Sequence, residues 1–268
     1  MKNFAVIGSP IDHSLSPKIH RTYAEQFNLD LEYRPIEVKP EAFVESVERL
    51  FSEGFFGLNV TLPLKELAFK IADERSSRAI LTGSVNTLWK EGSKLHGETT
   101  DGEGLIRDLS KKGLNINSKR LVIIGAGGSA RAILPSLFER NPTSITVVNR
   151  SKERAADLIK DFAPFFRISY LPLIESMQSE ADLIINTSSA GTLEQKIILP
   201  KGIFRGSPSV YDLSYSSGIT SFNMEAKRQG AKDLHDGLGM LMEQAAISFE
   251  IWNNRKPDVE RAYKTLFS

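Results

Sequence analysis

The sequence predicts a two-lobed α/β protein whose second lobe is a doubly wound parallel sheet. Short apolar runs alternate with amphipathic stretches at helical spacing along the chain. One apolar run, residues 120–124, leads directly into a glycine-rich turn. The 268 residues are also enough for two domains that each bury a core. Together these observations favour two α/β lobes.

The first lobe is predicted to open with a strand over residues 4–8. A helix follows with Ser16 as its N-cap, because Pro17 suits the first helical position. Pro40 opens a second helix, and Gly54 ends it. The remaining elements predicted for this lobe are strands over residues 55–62, 85–89 and 94–97 and a short helix over residues 64–72.

The second block begins near residue 101 with a helix that Gly113 ends. Further apolar runs, with helical stretches between them, favour a parallel sheet with helices on both faces. These strand candidates are residues 120–124, 144–149, 181–187 and 209–213. The chain becomes helical again from residue 236, and Pro257 opens the last helix.

This pattern places the domain boundaries near residues 101 and 237. The first domain is predicted to comprise residues 1–101 together with residues 238–268, which return to it. The second domain is predicted to comprise residues 102–237. No internal repeat or low-complexity tract interrupts the sequence.

Composition argues against several classes of protein. The net charge of +1 offers no field that would attract nucleic acid or an anionic membrane. The sequence has no cysteine and no His/Asp/Glu cluster at ligand spacing, so we expect no metal. The apolar run at residues 4–7 is too short for a secretory signal, and no window reaches the ~20 residues of a membrane span. We therefore expect a cytoplasmic protein.

The glycine-rich turn fits the pattern G-x-G-x-x-G/A, with Ala130 at the third position. The first glycine allows the tight turn, the second lets the backbone approach a pyrophosphate, and the small third residue lets helix pack on strand. Such turns also occur for structural reasons, but the strand–turn–helix context favours a Rossmann-like dinucleotide site. Its candidate residues are Gly125, Ala126, Gly127, Gly128 and Ser129.

The end of the next predicted strand indicates which dinucleotide binds. NAD sites place a carboxylate there, whereas this sequence has Asn149, Arg150 and Ser151, with Arg154 one helical turn further. Two guanidinium groups, a hydroxyl and an amide suit a 2′-phosphate. The alternative is that the two arginines are ordinary solvent-exposed residues at the start of a helix. The helix dipole disfavours cations there unless an anion binds beside them. The sequence therefore predicts NADP.

Polar side chains at strand and helix ends are substrate-binding candidates in the first lobe. Ser14 and Ser16 are two residues apart, so both hydroxyls can point at one carboxylate at a helix N-terminus. Lys65, Asn86 and Asp101 lie at the ends of predicted strands. Taken singly, each of these residues is more often a cap, a core residue or a surface residue.

Nine motifs, taken together and in this order, resemble those of the shikimate dehydrogenase family. The resemblance runs from Val6 to Trp252, which is nearly the whole chain, and is far more specific than the glycine turn alone. The motifs are HSLSP, NVTLPLK, GSVNT, TTDGEG, GAGGSARA, NRSKER, NTSSAG, YDLSY and DGLGMLMEQA.

The resemblance implies reversible, NADP-linked interconversion of 3-dehydroshikimate and shikimate, on the route to chorismate and the aromatic amino acids. It implies Lys65 and Asp101 as the catalytic pair and Ser14 and Ser16 as ligands of the substrate carboxylate. The further substrate contacts that it implies are Thr61, Asn86, Tyr215 and Gln244. The cofactor positions that it implies are the glycine turn, the 2′-phosphate cluster Asn149, Arg150 and Arg154, and Leu213, Gly237 and Met240 near the nicotinamide.

The sequence departs from the family pattern at three places. Ser221 follows Thr220 where relatives often have proline, Ser77 stands where some carry an acid, and Leu213 stands where methionine is frequent. None of these changes removes a catalytic group, although they bear on the shape of the nicotinamide pocket.

Lys65 is the expected proton donor, with Asp101 orienting it. Its positive charge can also stabilise an oxyanion, and the sequence leaves open which role dominates. His13 is a rival acid or base, but a histidine beside two capping serines is more often structural.

The sequence does not distinguish between a monomer and a homodimer.

Two other functions compete with this interpretation. The first is a quinate/shikimate dehydrogenase of the same superfamily, in which the carboxylate-binding serines tend to be altered. The second is a catalytically silent NADP-binding sensor, against which the retention of both Lys65 and Asp101 argues.

Overall fold

Two six-stranded sheets organise the described part of the chain. The structure is a computed structural model that describes residues 1–188 and 198–267. The chain divides into a first unit, Met1–Leu105 with Leu241–Ser268, and a second unit, Ile106–Met240. The boundaries fall inside two helices, α5 (Asp101–Lys111) and α9 (Leu238–Asn253).

The first unit contains a mixed sheet. Its strands are β1 (Lys2–Gly8), β2 (Leu31–Glu37), β3 (Phe55–Val60), β4 (Glu74–Arg75), β5 (Thr87–Glu91) and β6 (Lys94–Glu98), in the order β2-β1-β3-β5-β6-β4. Its other helices are α1 (Ser16–Glu25), α2 (Phe43–Ser52), α3 (Lys65–Ile71), α4 (Ser77–Thr82) and α10 (Val259–Phe267). β1 is parallel to β2 and β3, whereas β5 is antiparallel to β3 and β6.

Both faces of this sheet are covered, because successive side chains of a strand point to opposite faces. Ala5 and Ile7 of β1 belong to a core cluster that includes residues of α2 and α3. Phe4 and Val6 belong to a different cluster with Tyr33. Because both faces of β1 are packed in apolar layers, the strand is held in place, and so are the polar residues that follow its carboxyl end.

Helix α1 begins differently from the expectation. Leu15 already has helical dihedral angles and is the N-cap, so Ser16 is the first helical residue and does not cap the helix. Ser14 Oγ instead accepts a hydrogen bond from the backbone N–H of Ser16, at 3.3 Å. The prediction of Ser16 as the N-cap was therefore wrong, because the helical turn starts one residue earlier.

The second unit contains a fully parallel sheet. Its strands are β7 (Arg120–Ile124), β8 (Ser144–Asn149), β9 (Ile168–Pro172), β10 (Leu183–Asn186), β11 (Ser209–Asp212) and β12 (Leu234–Asp236), in the order β12-β11-β10-β7-β8-β9. Its other helices are α6 (Gly128–Phe138), α7 (Lys152–Phe162) and α8 (Ser221–Arg228). All four residues of β10 are buried, as expected for a parallel strand covered on both faces.

The strand order reverses between β7 and β10, so the crevice at their carboxyl ends is the switch point of a doubly wound sheet. The predicted two-lobed α/β fold is therefore confirmed. No helix in residues 1–188 and 198–267 has the length and apolar character needed to span a membrane.

In the described part of the chain, every strand that the sequence pattern missed lies at the edge of a sheet. β2 and β4 are the edges of the first sheet, and β9 and β12 are the edges of the second. Edge strands are half-exposed and carry a weaker apolar pattern, and β2 also contains Pro35, which is tolerated at edges. The short helix α4 was also missed.

Candidate active site

An ion pair joins the starts of two helices in the first unit. Lys65 is the first residue of α3 and Asp101 the first residue of α5. Lys65 Nζ donates to Asp101 Oδ2 at 2.6 Å, and the two side chains are 17% and 10% exposed. A carboxylate in the first helical turn also interacts favourably with the helix dipole. The geometry holds one ammonium group in a defined, largely water-shielded position.

Asn86 and Gln244 join this pair through hydrogen bonds. Asn86 Nδ2 lies 3.0 Å from Asp101 Oδ1 and 3.3 Å from Gln244 Oε1. Gln244 is held in turn, since its Nε2 donates to the backbone carbonyl of Leu241 at 2.9 Å. Four of the predicted residues, far apart in sequence, are therefore directly connected.

Thr61 and the two serines lie at neighbouring strand and helix ends of the first unit. Thr61 follows β3 and donates its backbone N–H to Ile7 of β1 at 2.9 Å. Gly8 leaves room for it, because a Cβ there would lie 2.4 Å from the Thr61 methyl group. Ser16 is buried and interacts with Tyr33, but no hydrogen bond of the described residues joins Ser14 or Ser16 to Lys65 or Asp101.

The glycine turn of the second unit combines a positive φ with open space at the start of α6. Gly125 has a φ of +108°, and a Cβ there would lie 2.6 Å from Thr187 Oγ1. A Cβ at Gly127 or Gly128 would meet nothing within 4 Å, so open space faces the start of α6. Gly127 caps that helix without a side-chain bond, which leaves N-terminal amides for an anion. Ala126 lies in the same turn, and Ser129 lies in the first turn of α6.

The predicted 2′-phosphate cluster lies where β8 ends and α7 begins. Ser151 is the N-cap of α7 and accepts from the backbone N–H of Arg154 at 3.3 Å. Asn149 Nδ2 donates to the Ser151 carbonyl at 2.8 Å. Arg150 and Arg154 are exposed, and neither guanidinium group has a partner among the described residues.

A carboxylate that the sequence interpretation overlooked lies beside this cluster. Ser151 Oγ donates to Glu153 Oε2 at 2.8 Å. The pKa of Glu153 is lowered by a backbone hydrogen bond and by the Ser151 hydroxyl, so the group remains anionic near neutral pH. The tip of β8 itself lacks an acid, as expected, but the first turn of α7 places one close by.

Two of the residues predicted near the nicotinamide, Leu213 and Gly237, are in close contact. Gly237 packs so closely on Leu213 that a Cβ there would lie 2.0 Å from the Leu213 carbonyl oxygen. Met240 is buried near the start of α9. Tyr215, the remaining predicted substrate contact, belongs to the second unit and follows β11. The last three residues of the NTSSAG motif lie outside the described residues.

Three further polar side chains support the Lys65 site and were not singled out from the sequence. Asn59, Thr87 and Ser248 are buried, and Thr87 and Ser248 both bond to the residues around Asn86. A polar residue within an otherwise apolar strand or helix stripe is the signal that could have found them. Ser248, for example, directly precedes Phe249 in the apolar α9.

The parallel sheet with a glycine turn at its switch point belongs to the class of doubly wound α/β proteins. Three family models match the chain. They describe the shikimate dehydrogenase substrate binding domain at residues 6–88, shikimate / quinate 5-dehydrogenase at residues 108–206, and the shikimate 5'-dehydrogenase C-terminal domain at residues 237–267.

Individual relatives match over the full length. A shikimate dehydrogenase (NADP(+)) of Legionella pneumophila (strain Lens) is 42% identical over 100% of this chain and 99% of its own length. The Thermus thermophilus shikimate 5-dehydrogenase, solved with NADP(H) and shikimate, is 33% identical, with a TM-score of 0.86 over 99% of each chain. The Listeria monocytogenes shikimate 5-dehydrogenase, solved with shikimate and NAD, is 28% identical, with a TM-score of 0.89 over 100% of this chain and 96% of that one. The chain belongs to the shikimate dehydrogenase family.

Proposed function

We propose that this chain is an NADP-dependent shikimate dehydrogenase, which reversibly reduces 3-dehydroshikimate to shikimate in the biosynthesis of chorismate and the aromatic amino acids. The observation that carries the proposal is the shielded Lys65–Asp101 pair, joined by Asn86 and Gln244, in a member of this family. A protein that only sensed NADP would have no need for a positioned proton donor.

The pair supplies what a ketone reduction requires from side chains. Bound NADPH supplies the hydride. Lys65 Nζ donates a proton to the developing alkoxide oxygen, and in the oxidation direction it takes that proton back. Asp101 holds Nζ at 2.6 Å, and until the proton is transferred the ammonium charge stabilises the oxyanion that develops on the substrate.

The other predicted residues bind the two reactants. Ser14 and Ser16 hold the substrate carboxylate near the start of α1, and Thr61, Asn86, Tyr215 and Gln244 contact the ring substituents. Residues 1–101 and 238–268 form the substrate-binding domain, and residues 102–237 form the NADP-binding domain. The family models for the substrate-binding and C-terminal domains, at residues 6–88 and 237–267, support this division.

NADP fits the second unit at three places. The amides of the turn at Gly125–Ser129 bind the pyrophosphate, and the open space facing Gly127 and Gly128 admits it. Arg150 and Arg154, with Asn149 and Ser151, bind the 2′-phosphate. Leu213, Gly237 and Met240 contact the nicotinamide.

Steady-state kinetics with shikimate or quinate and with NADP or NAD test the proposal. We expect the highest kcat/KM for shikimate with NADP. Comparable turnover of quinate would instead support a quinate/shikimate dehydrogenase. NADP binding without turnover of either acid would support a sensor and refute the proposed enzyme.

A further inference from the structure

A closed cluster of buried side chains lies next to Asn86 in the first unit. It consists of Asn59 at the end of β3, Thr87 at the start of β5 and Ser248 in α9. Asn59 is 6% exposed, and Thr87 and Ser248 are 0% exposed. Polar groups this deeply buried are stable only when they are hydrogen-bonded, so their bonds specify the local structure.

Every member of the cluster is bonded. Asn59 Oδ1 accepts from the Tyr33 hydroxyl at 2.7 Å. Asn59 Nδ2 donates to the Asn86 carbonyl at 3.1 Å and to Ser248 Oγ at 3.0 Å. The Thr87 and Ser248 hydroxyl oxygens are 2.8 Å apart. Through Asn59, the backbone carbonyl of Asn86 is therefore linked by hydrogen bonds to β2, β3 and α9.

The direction of these bonds determines how the Asn86 side chain is turned. The backbone N–H of Thr100 lies 3.0 Å from Asn86 Oδ1 and can only donate, so the amide oxygen faces it. The Thr87 hydroxyl lies 2.8 Å from the same oxygen and must therefore donate to it. Thr87 then accepts from Ser248 or Asn59. With its oxygen held in this way, Asn86 directs its NH₂ group toward Asp101 Oδ1 at 3.0 Å.

This orientation matters because Asp101 is held at both oxygens. Oδ1 accepts from Asn86, and Oδ2 accepts from Lys65. An Asn86 amide turned by 180° would place its oxygen against a carboxylate, which is repulsive, and Asp101 would have to move. We propose that Thr87, supported by Ser248, is a positioning residue that acts together with the Thr100 N–H to hold Asn86 in the orientation in which Asp101 aligns Lys65 for proton transfer.

This inference rests on the proposed function, so the first measurement is the turnover of shikimate by the unmodified enzyme. Thr87→Val keeps the shape and strand preference of the side chain and removes only the hydroxyl. We expect kcat to fall about 10- to 100-fold, the effect of a small misplacement of a catalytic group, while KM for shikimate rises less than kcat falls. Thr87→Ser restores the hydroxyl and is expected to restore kcat.

Thr82→Val is the matched control. Thr82 is 1% exposed in the same unit, and among the described residues the acceptors within reach of its hydroxyl are the backbone carbonyls of Arg78, Ala79 and Ser84, to one of which it donates at a time. The Thr82→Val variant loses a buried hydroxyl that does not bond to Asn86, so its kcat should remain near that of the unmodified enzyme. Ser248→Ala provides a second variant, because alanine is well tolerated in a helix. It should also lower kcat, but by less than Thr87→Val does.

The outcomes separate the two proposals. An inactive unmodified enzyme would refute the proposed function itself. An active enzyme in which Thr87→Val keeps full kcat, raises mainly KM, or is not rescued by Thr87→Ser would overturn the positioning role. Equal losses of kcat in Thr87→Val and Thr82→Val would also overturn it, since general destabilisation would then explain the effect.

Discussion

Lys65 and Asp101 form an ion pair that water reaches only at its margin, since the two side chains are 17% and 10% exposed. Lys65→Ala removes the proposed proton donor, so we expect kcat to fall by roughly 10²–10⁴ with a smaller change in KM. Lys70→Ala, on the exposed face of the same helix, is the control and should keep kcat. Near-normal turnover in the Lys65 variant would exclude this residue as the acid.

We expect single residues to decide the choice of cofactor as well. A 2′-phosphate gains from both Arg150 and Arg154, whereas a 2′-hydroxyl gains little, so we expect at least about tenfold higher kcat/KM with NADP than with NAD. Arg150→Asp should remove or reverse that preference, because a carboxylate repels the phosphate and accepts from the hydroxyl. Equal efficiencies with both cofactors in the unmodified enzyme would mean that these arginines only line a solvated helix start.

Glu153 is expected to work against this preference. Its carboxylate accepts from Ser151, a member of the proposed 2′-phosphate site, and it adds negative charge beside that site. Because the group is exposed and screened, Glu153→Gln should raise the NADP-to-NAD efficiency ratio only about two- to fivefold. Asp157→Asn makes the same charge change farther along α7 and is the control. A ratio that rises equally in both variants would indicate a general field effect.

At the scale of elements, the start of α9 is held by close packing within the second unit. A Cβ at Gly239 would lie 2.0 Å from Asp108 Oδ1. Asp108 is buried and accepts from the Tyr211 hydroxyl at 2.6 Å and from Lys112 Nζ at 2.9 Å. The start of α9 therefore leaves no room for a side chain at position 239.

Gly239→Ala tests this packing. We expect the free energy of unfolding to fall by about 1–3 kcal/mol or more, as for other overpacked sites, with a loss of NADP affinity because Met240 is adjacent. Gly218→Ala, where a Cβ meets nothing within 4 Å, is the control and should leave stability nearly unchanged. Denaturant unfolding followed by circular dichroism, with cofactor titration, measures both effects.

At the scale of the whole molecule, one buried histidine couples folding to pH. His20 is fully buried against Tyr33, with ring centroids 4.3 Å apart. Burial lowers its pKa to about 3, and neither ring nitrogen has a hydrogen-bond partner among the described residues. Below pH 6.5 the unfolded chain therefore binds a proton at this residue that the folded chain does not, and stability falls as the pH falls toward 3.

The expected loss from His20 is about 2 kcal/mol between pH 7 and pH 5. His20→Phe keeps the ring stack without the titrating group, so its unfolding free energy should depend less on pH by that amount. Ile19→Val, a buried neighbour on the same helix, should lower stability at both pH values alike. Both tryptophans, Trp89 and Trp252, lie in the first unit, so their fluorescence in urea follows the unfolding of this unit. Equal pH dependence in His20→Phe and the unmodified protein would contradict the prediction.

The sequence predicted the central strands of both sheets, most clearly where buried strands such as β1 and β7 carry a continuous apolar run that can be recognised without its neighbours. The run at residues 120–124 and the turn after it were predicted as they occur in β7 and α6. The edge strands β2 and β9 were not predicted, because an edge strand buries less and is defined by its neighbour. The local sequence pattern does not show which distant segment a strand will pair with.

The same division holds for the candidate site. The motifs identified Lys65, Asn86, Asp101 and Gln244 as residue types suited to the chemistry, through their likeness to a known family. Only the tertiary structure decided that Asn86 bonds to both Asp101 and Gln244, the latter 158 positions away. It alone also placed Thr87 and Ser248 around Asn86 and Glu153 beside Ser151. The physical reason is that a hydrogen bond depends on distance and direction between atoms, which separate segments acquire only when the chain has folded.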